Sequence, residues 1–255
     1  MKPESAVRIV QISDCHLRST PGAQSWGVDV DAGLRAVLTL ATGLQPALLL
    51  ATGDLVHDEG TPAYERLRDD FLLPSGLPVA ALPGNHDDSD ALAACWSSGP
   101  VQRRRQLETG GWQLLLLDTR VPQSPAGRLA PSELDFLQQS LAARPQTPTL
   151  VALHHPPLLT GCAGFDAIAL DNRAELFGVL KQAPQVRAVV FGHLHAEVDT
   201  VIDGIRCLGC PSTCIQFDLQ APEPAADAAH GPGCRLLELF PDGRLQTQVL
   251  RVEGA

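Results

Sequence analysis

The chain has 255 residues, 44% of them hydrophobic, a mean hydropathy of +0.02 and a net charge of −10 from 29 acidic and 19 basic residues. That length buries roughly 70–75% of the unfolded surface, and the acidic balance argues against nonspecific nucleic-acid binding, which needs a basic footprint. An anionic small substrate remains open, because bound metal ions reverse a local field.

Val7 to Ser13 reads as a buried first strand ending at Asp14-Cys15-His16. Residues 31–42 place Leu34, Val37, Leu38 and Ala41 at helical spacing, with Asp29 or Asp31 as the cap. Leu48-Leu49-Leu50-Ala51 is a short apolar run that breaks at Thr52-Gly53-Asp54, as expected of a strand buried on both faces. Thr61-Pro62 reads as a cap followed by a proline at the first helical position, opening a helix towards Phe71. Pro78 to Leu82 is a third strand and breaks at Pro83-Gly84-Asn85-His86-Asp87; Ser89 to Trp96 is a short helix. Arg103-Arg104-Arg105 reads as a solvated surface.

Trp112 to Asp118 is another buried strand, and Pro131 opens an amphipathic helix through Leu134, Leu137 and Leu141. Thr149 to Leu153 is a strand ending at His154-His155-Pro156-Pro157. A loop from Leu158 leads to a helix near Asn172–Gln182, and Val186 to Phe191 is a strand ending at Gly192-His193-Leu194-His195. Short β-like stretches follow at 196–203, 205–209 and 213–218. Residues 220–233 form an Ala- and Pro-rich mobile surface loop, and residues 234–252 a hairpin around Pro241-Asp242-Gly243. Strand and helix alternate first, then strands dominate. The expectation is one α/β domain over 1–255, a layered pair of mixed sheets with helices outside.

The first 14 residues carry no apolar leader segment, and no run reaches the roughly 18 apolar residues of a membrane span. Seven cysteines without secretory context are expected as thiols in a reducing cytoplasm. Cys207, Cys210 and Cys214 read as small buried residues rather than a metal cluster, since Pro211 interrupts them.

Each buried strand ends in metal-capable side chains, and six of the eight histidines fall in these segments; His57 and His230 do not. Singly, Asp-x-His, Gly-Asp or a lone histidine is more often a turn or a satisfied polar residue. Gly192-His193-x-His195 sets two imidazoles on one side if the segment is extended, and Cys15 would then point away from Asp14 and His16. Asp and Asn oxygens mixed with imidazoles suit Mn, Fe or Zn, and the lack of thiolate disfavours a structural zinc site. Ser13 and Ser212 lack a nucleophile-elbow context, and no Walker A sequence is present.

The ordered set Asp14-x-His16, Gly53-Asp54, Gly84-Asn85-His86-Asp87, His154-His155-Pro156 and Gly192-His193-x-His195 resembles the calcineurin-like metallophosphoesterase signature across residues 7–252. It is most similar to the bacterial class III cyclic-nucleotide phosphodiesterases, through Ala51 to Val56, Leu82 to Asp87 and Pro211-Ser212-Thr213-Cys214-Ile215-Gln216-Phe217. It departs at His154-His155-Pro156-Pro157, where that subgroup can carry three histidines.

The resemblance implies two divalent or mixed-valence ions (Fe, Mn or Zn). Asp14, His16, Asp54 and His195 would hold the first; Asp54, Asn85, His154 and His193 the second. His154 is chosen because it precedes the proline by two positions. Asp54 is then shared, a hydroxide between the ions attacks phosphorus, and His86 stabilises the phosphoryl group or protonates the leaving oxygen. The implied reaction is hydrolysis of 3′,5′-cyclic nucleotides, cyclic AMP to AMP. Glycerophosphodiesters or 2′,3′-cyclic nucleotides are the alternative substrates, and a non-catalytic interaction protein the remote alternative.

Besides His86 and Asn85, the substrate-contact candidates are His155 at the rim and Arg120, which follows a strand end with Thr119. Trp26 reads as a packed loop aromatic before a base-stacking one. Asn172 reads as a helix cap, and Asp166 lies in the loop after the histidine pair. His57-Asp58 flank the site in sequence with their orientation open. The expected partner is a small phosphodiester, with no nucleic-acid polymer and no membrane. A homodimer is admitted, and the sequence does not select an oligomeric state.

Overall fold

The structure, a computed structural model, describes residues 5–57 and 59–252. Asp58, whose orientation the sequence left open, lies outside the described residues. In chain order come β1 (Val7–Ile12), β2 (Gln24–Ser25), β3 (Val28–Asp29), α1 (Val30–Gly43), β4 (Leu48–Thr52), α2 (Thr61–Arg66), β5 (Val79–Leu82), α3 (Ser89–Cys95), β6 (Val101–Arg103) and β7 (Gln106–Thr109). Then follow β8 (Trp112–Leu116), α4 (Pro131–Ala143), β9 (Thr149–Ala152), α5 (Ala163–Asp166), α6 (Arg173–Leu180), β10 (Val186–Phe191), β11 (Val198–Ile202), β12 (Ile205–Gly209), β13 (Gly233–Leu239) and β14 (Leu245–Arg251).

Two six-stranded mixed sheets carry the fold. The first runs β14-β13-β1-β4-β5-β6, parallel from β1 to β6 with β13 and β14 antiparallel. The second runs β11-β12-β10-β9-β8-β7, parallel through its middle with antiparallel edges β11 and β7. The side-chain alternation of a strand sorts residues into layers. From β4, Leu48 and Leu50 point between the sheets, where they join Leu114, Leu150 and Val190. Leu49 and Ala51 point outward into a core shared with Leu34 and Val37 of α1 and Tyr64 of α2. On the far side, Val151 and Phe191 pack with Leu137 and Leu141 of α4 and Phe177 of α6. The result is the expected layering of helices, two mixed sheets, and helices. Strands covered on both faces must be apolar at every position, which is why these runs read as unbroken leucine, valine and alanine. No helix among the described residues is long and apolar enough to cross a membrane.

Several local expectations change. Asp29 caps α1, accepting from Ala32 N, while Asp31 pairs with Arg66 and takes the N–H of Gly22. Gly60, not Thr61, holds the cap position of α2; the helix does run on towards Phe71, as a π-helical turn, Leu67–Leu72, and then a 3₁₀ turn, Leu73–Ser75. Residues 213–218 form no strand: the Gln216 amide folds back onto the carbonyls of Ser212 and Cys214, and only Phe217 makes a bridge, to Ala226. The arginine run is not simply solvated. Arg103 lies in β6 and bonds Asp118, and Arg105 bonds Glu133. Residues 220–232 carry no helix or strand, Gly233 already opening β13, and the stretch is tied down by Ala163 N to Pro222 O and Asp227 N to Gln216 O.

Candidate active site

The C-terminal ends of β1, β4 and β5 in one sheet and of β9 and β10 in the other meet at one edge of the sandwich. The loops are stitched by main-chain bonds: Asp14 N to Gly53 O at 3.0 Å, His16 N to Asp54 O at 2.9 Å, and Gly192 N to His154 O at 3.1 Å. Asp14 ties the sheets together, its two carboxylate oxygens each 3.1 Å from the N–H of His193. The hydroxyl of Ser212 donates to the Asp14 carbonyl and that of Ser13 to the Thr52 carbonyl, so both serines are structural.

The site segments are not extended. Asp14, His16, Asp54, His193 and His195 all have left-handed backbones, φ between 46° and 69°. Strain of this kind persists only where the surroundings enforce it, and it gathers at functional sites. Cys15 is therefore excluded on other grounds than extended geometry: it is buried on the helix side of the first sheet, where burial pushes its thiol up to about 12.

Imidazole nitrogens and carboxylate oxygens converge here. His195 Nε2 lies 3.1 Å from His16 Nε2 and 3.4 Å from Asp14 Oδ1. His154 Nε2 lies 3.2 Å from Asn85 Oδ1, 3.3 Å from His193 Nδ1 and 3.3 Å from Asp54 Oδ2. Asp54 Oδ2 is also 3.8 Å from His16 Nε2, so one oxygen faces both groups. Its other oxygen accepts the main-chain N–H of His86 at 2.9 Å, which fixes the carboxylate's rotation.

The rings are oriented from behind. Nδ1 of His154 is 2.8 Å from the Thr52 carbonyl and Nδ1 of His195 is 2.9 Å from that of Ile215. Spending Nδ1–H on a carbonyl leaves the Nε2 lone pair facing inward. Nδ1 of His16 is instead 3.1 Å from Nδ1 of His57, a residue whose orientation the sequence left open. Burial holds His16 well below the usual histidine range, against the pull of Asp54; its approach to that carboxylate is a contact of a neutral ring. Burial, then the His155 and His154 rings, keeps His193 neutral as well. At His154 burial again opposes charge, but the Asp54 carboxylate outweighs it and the ring is pushed up to about 9, so a cation binding at Nε2 would displace a proton there. Asp54 in turn stays well below the carboxylate range despite its burial, because the charge and hydrogen bond of His154 outweigh that burial.

A family model described as calcineurin-like phosphoesterase matches residues 7–197. The chain belongs to the calcineurin-like phosphoesterase family. It is 38% identical, over 99% of its length and 95% of the relative's, to a 3′,5′-cyclic-nucleotide phosphodiesterase of Nostoc sp.. It is 37% identical, over 98% of its length and 91% of the relative's, to the 3′,5′-cyclic adenosine monophosphate phosphodiesterase CpdA of Escherichia coli K12. A solved dimetal phosphatase from Danio rerio shares the fold, with a TM-score of 0.67 at 14% identity over 97% of this chain and 99% of that one.

In this calcineurin-like phosphoesterase the donors fit metal ions. Four imidazoles, two carboxylates and one amide oxygen crowd within bonding reach of one another, His16, His154 and His195 through Nε2 and His193 through Nδ1, and the buried Nε2 of His193 has no protein partner among the described residues. Such a set is stabilised by cations. Converging donor groups among the described residues contain no thiol. Cys207, Cys210 and Cys214 are buried, as expected of packing residues.

The two adjacent histidines separate clearly. His154 faces the donor cluster. His155 is fully buried, with Nδ1 2.7 Å from Thr119 Oγ1 and Nε2 3.1 Å from the Pro125 carbonyl. Both its nitrogens are engaged, which removes it from the pocket rim and from substrate contact. Arg120 is half-buried and bonds through its main chain to Asp118. Asn172 stands at the cap position of α6, but its amide clamps the backbone of Leu129, and Asp166 organises residues 160 and 161; neither reaches the donors. Trp26 is not packed away: it is 48% exposed and stands above the cluster.

Asp87 closes the Gly84-Asn85-His86-Asp87 motif, where the sequence alone gives it no role. Its carboxylate accepts the N–H groups of Leu55, Val56 and Gly84 and the hydroxyl of Tyr64, joining the Gly53-Asp54 loop to the Gly84-Asn85 loop. Burial, with the Asp54 charge added, pushes it up to about 6. Asp87→Ala strands four buried donors at about 1–3 kcal/mol each. A cost of about 3 kcal/mol or more lowers Tm by roughly 6–12 °C for a chain of this size. A thermal melt matching wild type would remove this stapling role.

Proposed function

We propose that the chain is a metal-dependent phosphodiester hydrolase acting on 3′,5′-cyclic nucleotides, converting cyclic AMP to AMP. What carries the reading is the likeness, over nearly the whole chain, to the cyclic-nucleotide phosphodiesterases of Nostoc and E. coli. Asp14, His16, Asp54 and His195 would hold one ion, and Asp54, Asn85, His154 and His193 the other, drawn from Fe, Mn or Zn. Bound there, the ions supply Lewis-acid charge and lower the pKa of water from about 15.7 to about 7.

The chain's own groups do the rest. Asp54 turns Oδ2 towards both donor groups, and the His86 N–H on its other oxygen keeps it there. The Thr52 and Ile215 carbonyls keep His154 and His195 in the tautomer that presents Nε2. The His86 ring is half-buried, 5.0 Å from the His16 ring and stacked on His57 at 4.8 Å, on the open side of the cluster. From there it gives a proton to the departing 3′ oxygen. His86→Gln is expected to lower kcat by about 10²–10⁴-fold while metal content stays at wild-type level; loss of metal would make His86 a ligand instead.

The proposal includes a small-molecule substrate, one working domain, and a reducing cytoplasm, which suits seven free thiols. The direct test is a panel at equal concentration: 3′,5′-cyclic AMP, 2′,3′-cyclic AMP and a glycerophosphodiester. Cyclic AMP should lead the panel. If it is poorest by orders of magnitude, the reading fails.

A further inference from the structure

Trp26 occupies a costly position. It and Gly27 form the two-residue turn between β2 and β3, and both are left-handed, at φ 49° and 76°. Hairpin turns of this geometry favour Asn-Gly or Asp-Gly, and a bulky residue at positive φ is an outlier. The hairpin is pinned to the site. Ser25 Oγ donates to the His16 carbonyl at 3.3 Å, and Arg66 bonds both the Arg18 carbonyl and Asp31, whose carboxylate also takes Gly22 N. So the strain is enforced, and its effect is to hold one indole in one place.

That place is above the proposed reacting centre. The indole centroid is 4.6 Å from the His16 ring, 4.8 Å from His57 and 5.9 Å from His195, with every interplanar angle between 82° and 89°. Phe217 closes one side at 6.4 Å, too near for a base to enter between the two rings. Among the described residues the other ring neighbour is His86 at 6.5 Å, and Trp26 is 48% exposed, whereas Trp96 and Trp112 are fully buried.

We propose that Trp26 is the stacking platform for the nucleobase and sets the preference for diesters that carry one. The inference rests on the cyclic-nucleotide reading and names a recognition element for it. The metal donors and His86 deal with the phosphoryl group, which every phosphodiester shares. A base on the same ribose lies a few ångströms from that phosphorus, within reach of the open indole. Stacking of this kind accepts any base, because each has a π-face. Discrimination should therefore be strong between base and no base, and weak between adenine and guanine.

The test compares cyclic AMP with the methyl riboside 3′,5′-cyclic phosphate, which lacks a base, using the metal-loaded enzyme. In wild type, cyclic AMP should be favoured in kcat/KM. Trp26→Gly, which relieves the left-handed backbone, should cut that preference by about 5–150-fold, mainly through KM; Trp26→Tyr should restore most of it. Acrylamide quenching supplies a second readout, because Trp26 is the one exposed tryptophan of the three. The Rp-phosphorothioate analogue of cyclic AMP should shield it, and the base-free phosphate should not. An unchanged preference in Trp26→Gly, or an equal loss on both substrates, overturns the platform; the latter would make Trp26 a structural part of the hairpin. Wild-type enzyme that cleaves the base-free diester but not cyclic AMP overturns the cyclic-nucleotide reading itself, whatever the variants do.

Discussion

Asp54→Ala should leave a folded protein that retains neither metal and hydrolyses cyclic AMP at least about a thousandfold more slowly. The expectation follows from one oxygen. Asp54 Oδ2 is 3.3 Å from His154 Nε2 and 3.8 Å from His16 Nε2, so it is the carboxylate atom common to both proposed ligand sets. Its loss takes a negative donor from each. The side chain is small and stands at a loop rather than in an apolar core, so the fold should survive. The strands beneath it keep their ladders, and the loop keeps the main-chain bond from His16 N to the Asp54 carbonyl. Metal analysis beside kcat/KM checks the result. Either ion at full stoichiometry in the variant would sink the shared-ligand assignment, and a vanished melting transition would shift the explanation to stability.

Gly84→Ala, a single added methyl, should be nearly as damaging. A Cβ at that position would meet Asp54 Oδ1, Asp54 N and, at 2.8 Å, His154 Nε2. None of these is the free end of a flexible chain. Asp54 Oδ1 is bonded to His86 N, and His154 is fixed by the Thr52 carbonyl. Overpacking of this kind costs about 1–3 kcal/mol, and a displacement near 1 Å at a reacting centre costs about a hundredfold in rate. Gly178 in α6 is the control. A Cβ there meets nothing within 4 Å, so Gly178→Ala should stabilise by about 0.5–1 kcal/mol with activity intact. If Gly84→Ala retains wild-type kcat/KM, the close approach of the two loops is not required for catalysis.

These two positions also mark where sequence reasoning succeeds and where it stops. The fold was legible because buried parallel strands must be apolar throughout, so runs such as Leu48 to Ala51 announce themselves and their ends are unambiguous. The donor residues were legible because they follow those ends, and the gathering of six histidines there is chemically unusual. The backbone that aims them was not. Asp14, His16, Asp54, His193 and His195 are left-handed, a conformation set by the surrounding loops. An extended reading of Gly-His-x-His was therefore wrong in geometry although it picked the same side chains.

Orienting groups were equally hidden. The carbonyls of Thr52 and Ile215 carry no residue signature, and Asp87 looks like the last letter of a turn until its four donors are seen. Residues 213–218 misled because Ile and Phe mimic a strand, whereas Gln216 and Ser212 satisfy the backbone locally. Trp26 misled because nothing in a tryptophan beside a glycine says that it will be held half open to solvent.

The division of the donors between the two sheets has a consequence for endurance. Asp14, His16, Asp54 and Asn85 hang from the first sheet, His154, His193 and His195 from the second, and polar links such as Gln11 to the Phe191 carbonyl, Asp14 to His193 N, His154 to the Thr52 carbonyl and Arg235 to the Gly209 carbonyl already span the same gap. Ions bound by both halves, as proposed above, would add rivets to the seam. Free metal at a thousand times its dissociation constant adds about 4.1 kcal/mol to the folded state, a large part of a typical domain's whole stability. Chelation would then do more than silence the enzyme. It would loosen the joint between the halves, so that metal supply sets how long each molecule lasts as well as how fast it works.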